Sequence, residues 1–364
     1  MARPKFLCVV GTRPEAIKMA PVIHALRASG GCEVLVVATA QHRELLDQAL
    51  GDFDLVPDID LDLMREDQSL GALTSRLSEE LDAVFVAHRP SCVIAQGDTT
   101  TTMVSALAAF HRGIPFAHVE AGLRTRDPQC PFPEEMNRRL CGQLAAWHFA
   151  PTARAARALL AEGAVPSRVV RTGNTAIDAL HHTLGHVPAA APTSSPTILV
   201  TAHRRESFGA PLARICEALR SLAEGGGVRV VFPLHPNPAV RNAVEAALGG
   251  VSGINLVAPL PRAAFVRAMR DAALILTDSG GVQEEAPSLG TPVLVLRDVT
   301  ERPEAIEAGA ARLVGTDPAT IVAATQDLLA RPARTWQGLR RSPFGDGRAA
   351  QRITAVLRAA YRCV

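Results

Sequence analysis

The chain has 364 residues and a formal net charge of +2, with 38 Lys and Arg against 36 Asp and Glu. That near balance, with only 4% aromatic residues, argues against a protein that coats nucleic acid or stacks bases. Apolar residues at 48% exclude wholesale disorder, and no apolar run reaches the roughly 18 residues that a membrane span needs.

At roughly 100–200 residues per domain, the length predicts two domains. The seven cysteines (Cys8, Cys32, Cys92, Cys130, Cys141, Cys216 and Cys363) form no CxxC pair. Arg13, Glu15 and Lys18 cut short the apolar start that a secretory signal would need. Reduced thiols and a cytoplasmic location are therefore expected. No metal site is expected either. The histidines include no HExxH, and His181, His182 and His186 read as a polar helix end before a linker.

In chain order, Phe6–Val10 reads as a strand ending in Gly11-Thr12-Arg13-Pro14-Glu15. A helix follows, with Ile17, Ala20, Ile23, His24 and Leu26 at helical spacing. Pro14 suits its first turn, and the free amides there, with Arg13 and Lys18, suit an anion. A capped helix with solvated charges is the plainer reading. Val34–Ala38, Cys92–Ala95, Phe116–Val119 and Val169–Val170 read as further strands. They are unalternating, as strands covered on both faces should be. Gln96-Gly97-Asp98 and four threonines close the third of these five strands, and His118-Val119-Glu120-Ala121-Gly122 closes the fourth. Pro131-Phe132-Pro133-Glu134-Glu135 opens a helix with acids in its first turn, which the helix dipole alone would favour. Asp98, Glu120 and Glu134 are expected to converge. Clustered carboxylates raise one another's pKa and suit proton transfer.

The stretch Val187–Thr197, rich in Pro, Ala, Ser and Thr, reads as a linker. Beyond it the pattern repeats, with strands at Ile198–Thr201, Val228–Phe232, Ile254–Val257, Ala273–Thr277 and Pro292–Leu296, and a helix holding Leu212, Ile215, Leu219 and Leu222. The first of these strands ends in His203-Arg204-Arg205-Glu206. Two arginines beside a histidine suit a diphosphate. His235-Pro236-Asn237-Pro238 follows the second, as a ligand group or a rigid turn. Thr277-Asp278-Ser279-Gly280-Gly281 is the strongest phosphate signal, because two glycines allow close backbone approach at a helix start. Glu284 and Glu285 behind it suit ribose hydroxyls. Thr300-Glu301-Arg302-Pro303-Glu304 adds a charge cluster. Strand–helix alternation in both halves predicts two doubly wound α/β domains, with ligands at the carboxyl ends of the strands. No GxGxxG is present, so bound NAD is not expected.

The runs GTRPEAIKMAP, GDTTTT, HVEAGLRT, PFPEEMNR, TGNT, TAHRRESFG, HPNP, TDSGGVQEEAPSLG and TERPE, in that order, resemble the non-hydrolysing UDP-N-acetylglucosamine 2-epimerases. The likeness extends from about Phe6 to FGDGRA near Phe344. It implies GT-B architecture: residues 1–186 and 198–346 as Rossmann-like domains facing a deep cleft, 187–197 as linker, and 347–364 as a helix returning to the first domain. It implies reversible interconversion of UDP-GlcNAc and UDP-ManNAc, by loss of UDP to 2-acetamidoglucal and re-addition. Asp98, Glu120 and Glu134 match the family's essential acids, and His203 its essential histidine. Arg13, Lys18, Phe265, Ser279, Gly280, Gly281, Glu285 and Arg302 match its nucleotide-sugar contacts, beside the Arg204 and His235 read above. No cofactor and no metal are implied, and a homodimer is. Glu44 and Asp67 stand where members activated by a second UDP-GlcNAc carry glutamine and arginine, which implies weak or absent activation here. Rivals are an epimerase of a UDP-2,3-diacetamido sugar, a hydrolysing 2-epimerase, a GT-B glycosyltransferase and a non-enzymatic nucleotide-sugar sensor. The hydrolysing branch reads GDR where this chain has GDTTT.

Overall fold

A computed structural model describes residues 3–39, 43–63, 65, 68–125, 127–188, 195–202, 208–234, 237–330 and 342–363. His203, Arg204 and His235 lie outside the described residues, as do Asp67 and most of the expected linker.

The fold is α/β, with two parallel sheets and interleaved helices, as the GT-B expectation requires. The first sheet has seven strands: β1 (Lys5–Val10), β2 (Glu33–Ala38), β3 (Ile59–Asp60), β4 (Cys92–Gln96), β5 (Phe116–Val119), β6 (Trp147–Ala150) and β7 (Val169–Arg171). Their order is β3-β2-β1-β4-β5-β6-β7. The second has six: β8 (Thr197–Thr201), β9 (Arg229–Pro233), β10 (Ile254–Val257), β11 (Leu274–Thr277), β12 (Val293–Val295) and β13 (Ala311–Leu313), in the order β10-β9-β8-β11-β12-β13. Each order reverses once, between β1 and β4 and between β8 and β11. Loops leaving the carboxyl ends of the strands diverge at such a reversal and open a crevice.

The helices of the first sheet are α1 (Arg13–Ser29), α2 (Arg43–Gly51), α3 (Leu70–His88), α4 (Thr100–His111), α5 (Glu134–Leu144), α6 (Ala153–Ala161) and α7 (Thr175–Gly185). Those of the second are α8 (Ala210–Glu224), α9 (Pro238–Leu248), α10 (Arg262–Asp271), α11 (Gly280–Leu289), α12 (Pro303–Glu307) and α13 (Pro318–Ala330). The last helix is α14 (Ala349–Tyr361). Period-two alternation along β1 explains why it is apolar throughout. Phe6, Cys8 and Val10 join Met19, Ile23 and Leu26 of α1 on one face. Leu7 and Val9 join Leu77 and Leu81 of α3 and Val104 of α4 on the other.

Residues 1–179 and 344–364 form one compact unit and 180–343 the other. The final helix belongs to the first unit because its apolar stripe has a partner there. Ile353 and Leu357 are fully buried in the core of β1 and α1. Burial of such a side chain contributes about 1.5–3 kcal/mol. Among the described residues no helix is long and apolar enough to cross a membrane, and no cluster of His, Cys, Asp and Glu could hold a metal ion. All seven thiols are free, and five are buried.

Candidate active site

The first unit gathers its polar groups where β1 and β4 part. Thr12 caps α1 and forms a capping box with Glu15, the Ser/Thr-x-x-Glu pattern of helix starts. Glu15 is buried rather than solvated. Its Oε2 accepts the backbone N–H of Gly11 and of Thr12, both at 2.7 Å, and the Thr12 hydroxyl at 3.1 Å. Its Oε1 accepts the hydroxyls of Thr99 and, at 3.0 Å, of Thr102. One carboxylate thus fastens the β1–α1 turn to the start of α4. Burial pushes it above the ordinary glutamate range, against the pull of the Thr99 and Gly11 hydrogen bonds. Gly11 fits the same junction: a Cβ there would lie 2.6 Å from the hydroxyls of Thr39 and Thr101.

Asp98 stands between β4 and α4. Its carboxylate meets the Arg138 guanidinium of α5 at 2.7 Å, and its carbonyl accepts the Asn137 side-chain amide at 2.9 Å. Burial raises Asp98 to about 6. Arg138 opposes the shift, and the charges of Glu120 and Glu134 add to it. Glu134 opens α5 and is half-buried. Its neighbour Glu135 is fully buried and holds Arg138 and Arg139 at 3.5 and 2.8 Å. Of the convergence expected of Asp98, Glu120 and Glu134, what appears is that the charges of the other two both reach Asp98.

Glu120 follows β5 with φ at +63°, in the left-handed region that a glutamate seldom adopts. The turn costs backbone energy, which the surrounding structure must hold. Its carboxylate accepts Lys18 Nζ at 2.7 Å, Asn174 Nδ2 at 3.1 Å and Gln96 Nε2. Two residues earlier, His118 is fully buried, and burial lowers its pKa to about 3. The neutral ring donates from Nε2 to the Gly97 carbonyl at 2.7 Å and so holds the loop that carries Asp98. Arg13, the first residue of α1, is half-buried.

In the second unit β11 ends at the turn Asp278-Ser279, and α11 begins at Gly280. The Thr277 hydroxyl accepts the Ser279 N–H at 2.9 Å and meets the Thr201 hydroxyl at 2.6 Å. Ser279 caps α11 without a side-chain hydrogen bond, so its hydroxyl does not occupy the first amides. A Cβ on Gly281 would meet only Ser279 Oγ, at 3.9 Å. Protein packing does not demand glycine there, whereas close approach of a ligand would. The two acids behind this turn are paired: Glu285 with Arg262 at 3.3 Å, and Glu284 with Arg302. Phe265 is half-buried on α10.

In the sequence, Gln96, Arg138, Asn174 and Arg262 carried no role. Arg138 and Asn174 lie inside the recognised runs and Gln96 directly before one, but nothing local marks them as partners of Asp98 or Glu120. Glu15 was readable, since Thr12 and Glu15 spell the capping box.

A family profile described as UDP-N-acetylglucosamine 2-epimerase matches residues 24–358. The UDP-N-acetylglucosamine 2-epimerase of Escherichia coli K12 is 48% identical over 370 residues, 97% of this chain and 98% of that one. Among solved structures, UDP-GlcNAc 2-epimerase from Neisseria meningitidis bound to UDP-GlcNAc superposes with a TM-score of 0.90 at 42% identity, covering 98% of this chain and 100% of that one. The Methanocaldococcus jannaschii UDP-GlcNAc 2-epimerase in complex with UDP-GlcNAc and UDP gives 0.83 at 32% identity, over 98% and 99% of the two chains. With a parallel sheet in each unit, carboxylates gathered at one reversal and an open helix start at the other, the chain belongs to the UDP-N-acetylglucosamine 2-epimerase family.

Proposed function

We propose that the protein interconverts UDP-GlcNAc and UDP-ManNAc by C2 epimerisation, through elimination of UDP and its re-addition to 2-acetamidoglucal, with no net hydrolysis. The observation that carries this reading is the contrast between Asp98 and Glu120. One carboxylate is raised to about 6 beside a single arginine, and the other accepts three N–H donors. Neighbouring acids in unlike environments suit proton exchange at one carbon.

The C2 hydrogen of the sugar is not next to a carbonyl, so direct abstraction is forbidding. As the C1–O bond to UDP breaks, C1 gains positive character and C2–H becomes acidic. Glu120 accepts the C2 proton, and the C1–C2 double bond of the glucal forms. Asp98, which exchanges its own proton near neutral pH, returns a proton to C2 from the other face while the UDP oxygen re-bonds to C1. Glu134 raises Asp98 by its charge. Ser279, Gly280 and Gly281 offer backbone amides to the diphosphate, with Arg13, Lys18 and Arg302 as counter-charges. Glu285 takes the ribose and Phe265 packs on the base. His203 assists departure of UDP, and Arg204 and His235 complete the nucleotide site.

The test is proton NMR of the purified protein with UDP-GlcNAc in heavy water, with nothing else added. Appearance of UDP-ManNAc with deuterium at C2 of both sugars is the expected result. Free ManNAc and UDP would mean hydrolysis. An inert UDP-GlcNAc together with turnover of UDP-diacetamido sugars would move the reading to the sister substrate.

The Asp98 environment gives a second check. Its folded pKa lies above the unfolded value of 3.8. The stability tied to its neutral form is therefore present below about pH 4 and lost as pH rises through about 6. Asp98→Asn removes that loss. Between pH 5 and 8 the variant should gain roughly 1–2 kcal/mol of stability relative to the wild type, while its turnover collapses. Urea unfolding at the two pH values reads the gain. A pH-independent difference would show that Asp98 does not titrate there.

A further inference from the structure

Among the described residues, the two side chains that hold Glu120 besides Lys18 are both primary amides, Gln96 at the end of β4 and Asn174 just before α7. Their orientations are fixed by what else they touch. The Asn174 backbone N–H donates to the Phe344 carbonyl at 2.7 Å. Its Oδ1 accepts the Ala176 N–H at 2.9 Å. The oxygen is thereby committed to α7, and Nδ2 is the end that faces Glu120. Gln96 is the mirror case. Turned the other way, its oxygen would oppose a carboxylate, so Nε2 points at Glu120. The consequence is visible, because Gln96 Oε1 is left buried without a hydrogen-bond partner among the described residues. An apolar side chain of similar size would avoid that loss of stability. The amide is therefore explained by what its nitrogen does.

We propose that Gln96 and Asn174 are positioning residues for Glu120: their N–H donors turn its carboxylate, on a left-handed backbone, so that it stands ready to accept the C2 proton. The inference rests on the epimerase reading above. Amides suit the task because they donate without adding charge. Among the described residues, the charged groups facing Glu120 are Lys18 from α1 and Asp98 from the β4–α4 loop, and Asp98 in turn faces Arg138 and Glu134 of α5. A further cation would upset that set.

Asn174→Asp is the decisive variant. It keeps size, the oxygen that caps α7 and the backbone bond to Phe344, and it replaces only the donor to Glu120 with an acceptor. Turnover should fall about 100-fold, while KM and the Kd for UDP change less than about threefold and the thermal midpoint stays within a few degrees. Activity of the variant should climb towards the wild type as pH is lowered. Once protonated, the introduced carboxyl donates again. Gln96→Glu should behave in the same way. Unchanged turnover in Asn174→Asp would show that Asn174 only caps α7. A collapse of the thermal midpoint, or a fall in turnover with no recovery at lower pH, would equally overturn the proposal. A wild-type protein that binds UDP but interconverts neither nucleotide sugar would sink the epimerase reading instead.

Discussion

Glu120→Gln is expected to lower turnover by about 10³-fold while UDP binds nearly as before. The substitution preserves shape and removes the carboxylate at the end of β5. It also puts an amide nitrogen in place of one acceptor oxygen, so that Gln96 Nε2, Asn174 Nδ2 and Lys18 Nζ share the single oxygen that remains. The backbone at φ +63° was held partly by those bonds, so the new side chain will not settle in the old rotamer. Two measurements separate chemistry from binding. Calorimetric titration with UDP should change little, because, Arg13 and Lys18 apart, the groups assigned to the nucleotide belong to the second unit. Exchange of the C2 hydrogen into heavy water should disappear together with epimerisation. Retained exchange without epimerisation would move the first proton transfer from Glu120 to another group.

The largest effect on stability is expected at Glu15. Glu15→Ala strands the buried backbone N–H groups of Gly11 and Thr12 and takes an acceptor from Thr99 and Thr102. The hydroxyls can turn elsewhere, since Thr102 already reaches the Gln96 carbonyl at 2.8 Å. The amides cannot. At about 1–3 kcal/mol for each buried orphan, a loss of roughly 3–5 kcal/mol is expected, with the thermal midpoint down by on the order of 10 °C. Glu15→Gln keeps one acceptor and should lose about half as much. Differential scanning calorimetry decides. A drop below about 1 kcal/mol for Glu15→Ala would mean that water replaces the carboxylate, and the junction of the β1–α1 turn with α4 would then need another explanation.

Strands with continuous apolar runs, such as β1, β4 and β8, were legible because burial on both faces leaves no room for polar residues. Three strands were not. β3 is two residues long, and β13 is three with Arg312 exposed at its centre. β6 reads Trp-His-Phe-Ala, and its polar member is tolerated only because tertiary packing buries His148 as a neutral ring, its pKa lowered to about 4. The acids of the site were legible for a related reason. A carboxylate directly after an apolar strand stands out, as Asp98 and Glu120 do. Their partners are invisible in one dimension, because Gln96 and Asn174 are 78 residues apart in the numbering and meet only through Glu120. The glycine pair at 280–281 was read for its backbone freedom, and the space around Gly281 agrees.

The first unit is completed by residues 344–364, which come after the whole of the second. On the ribosome this sets an order of events. At about 5–20 residues per second, the first 179 residues wait roughly 10–35 s for Ile353 and Leu357 to cover the β1–α1 core. The Asn174 N–H waits as long for the Phe344 carbonyl. A chain stopped just after residue 343 therefore has the whole sequence of the second unit, while the β1–α1 core lacks Ile353 and Leu357 and Asn174 lacks the Phe344 carbonyl.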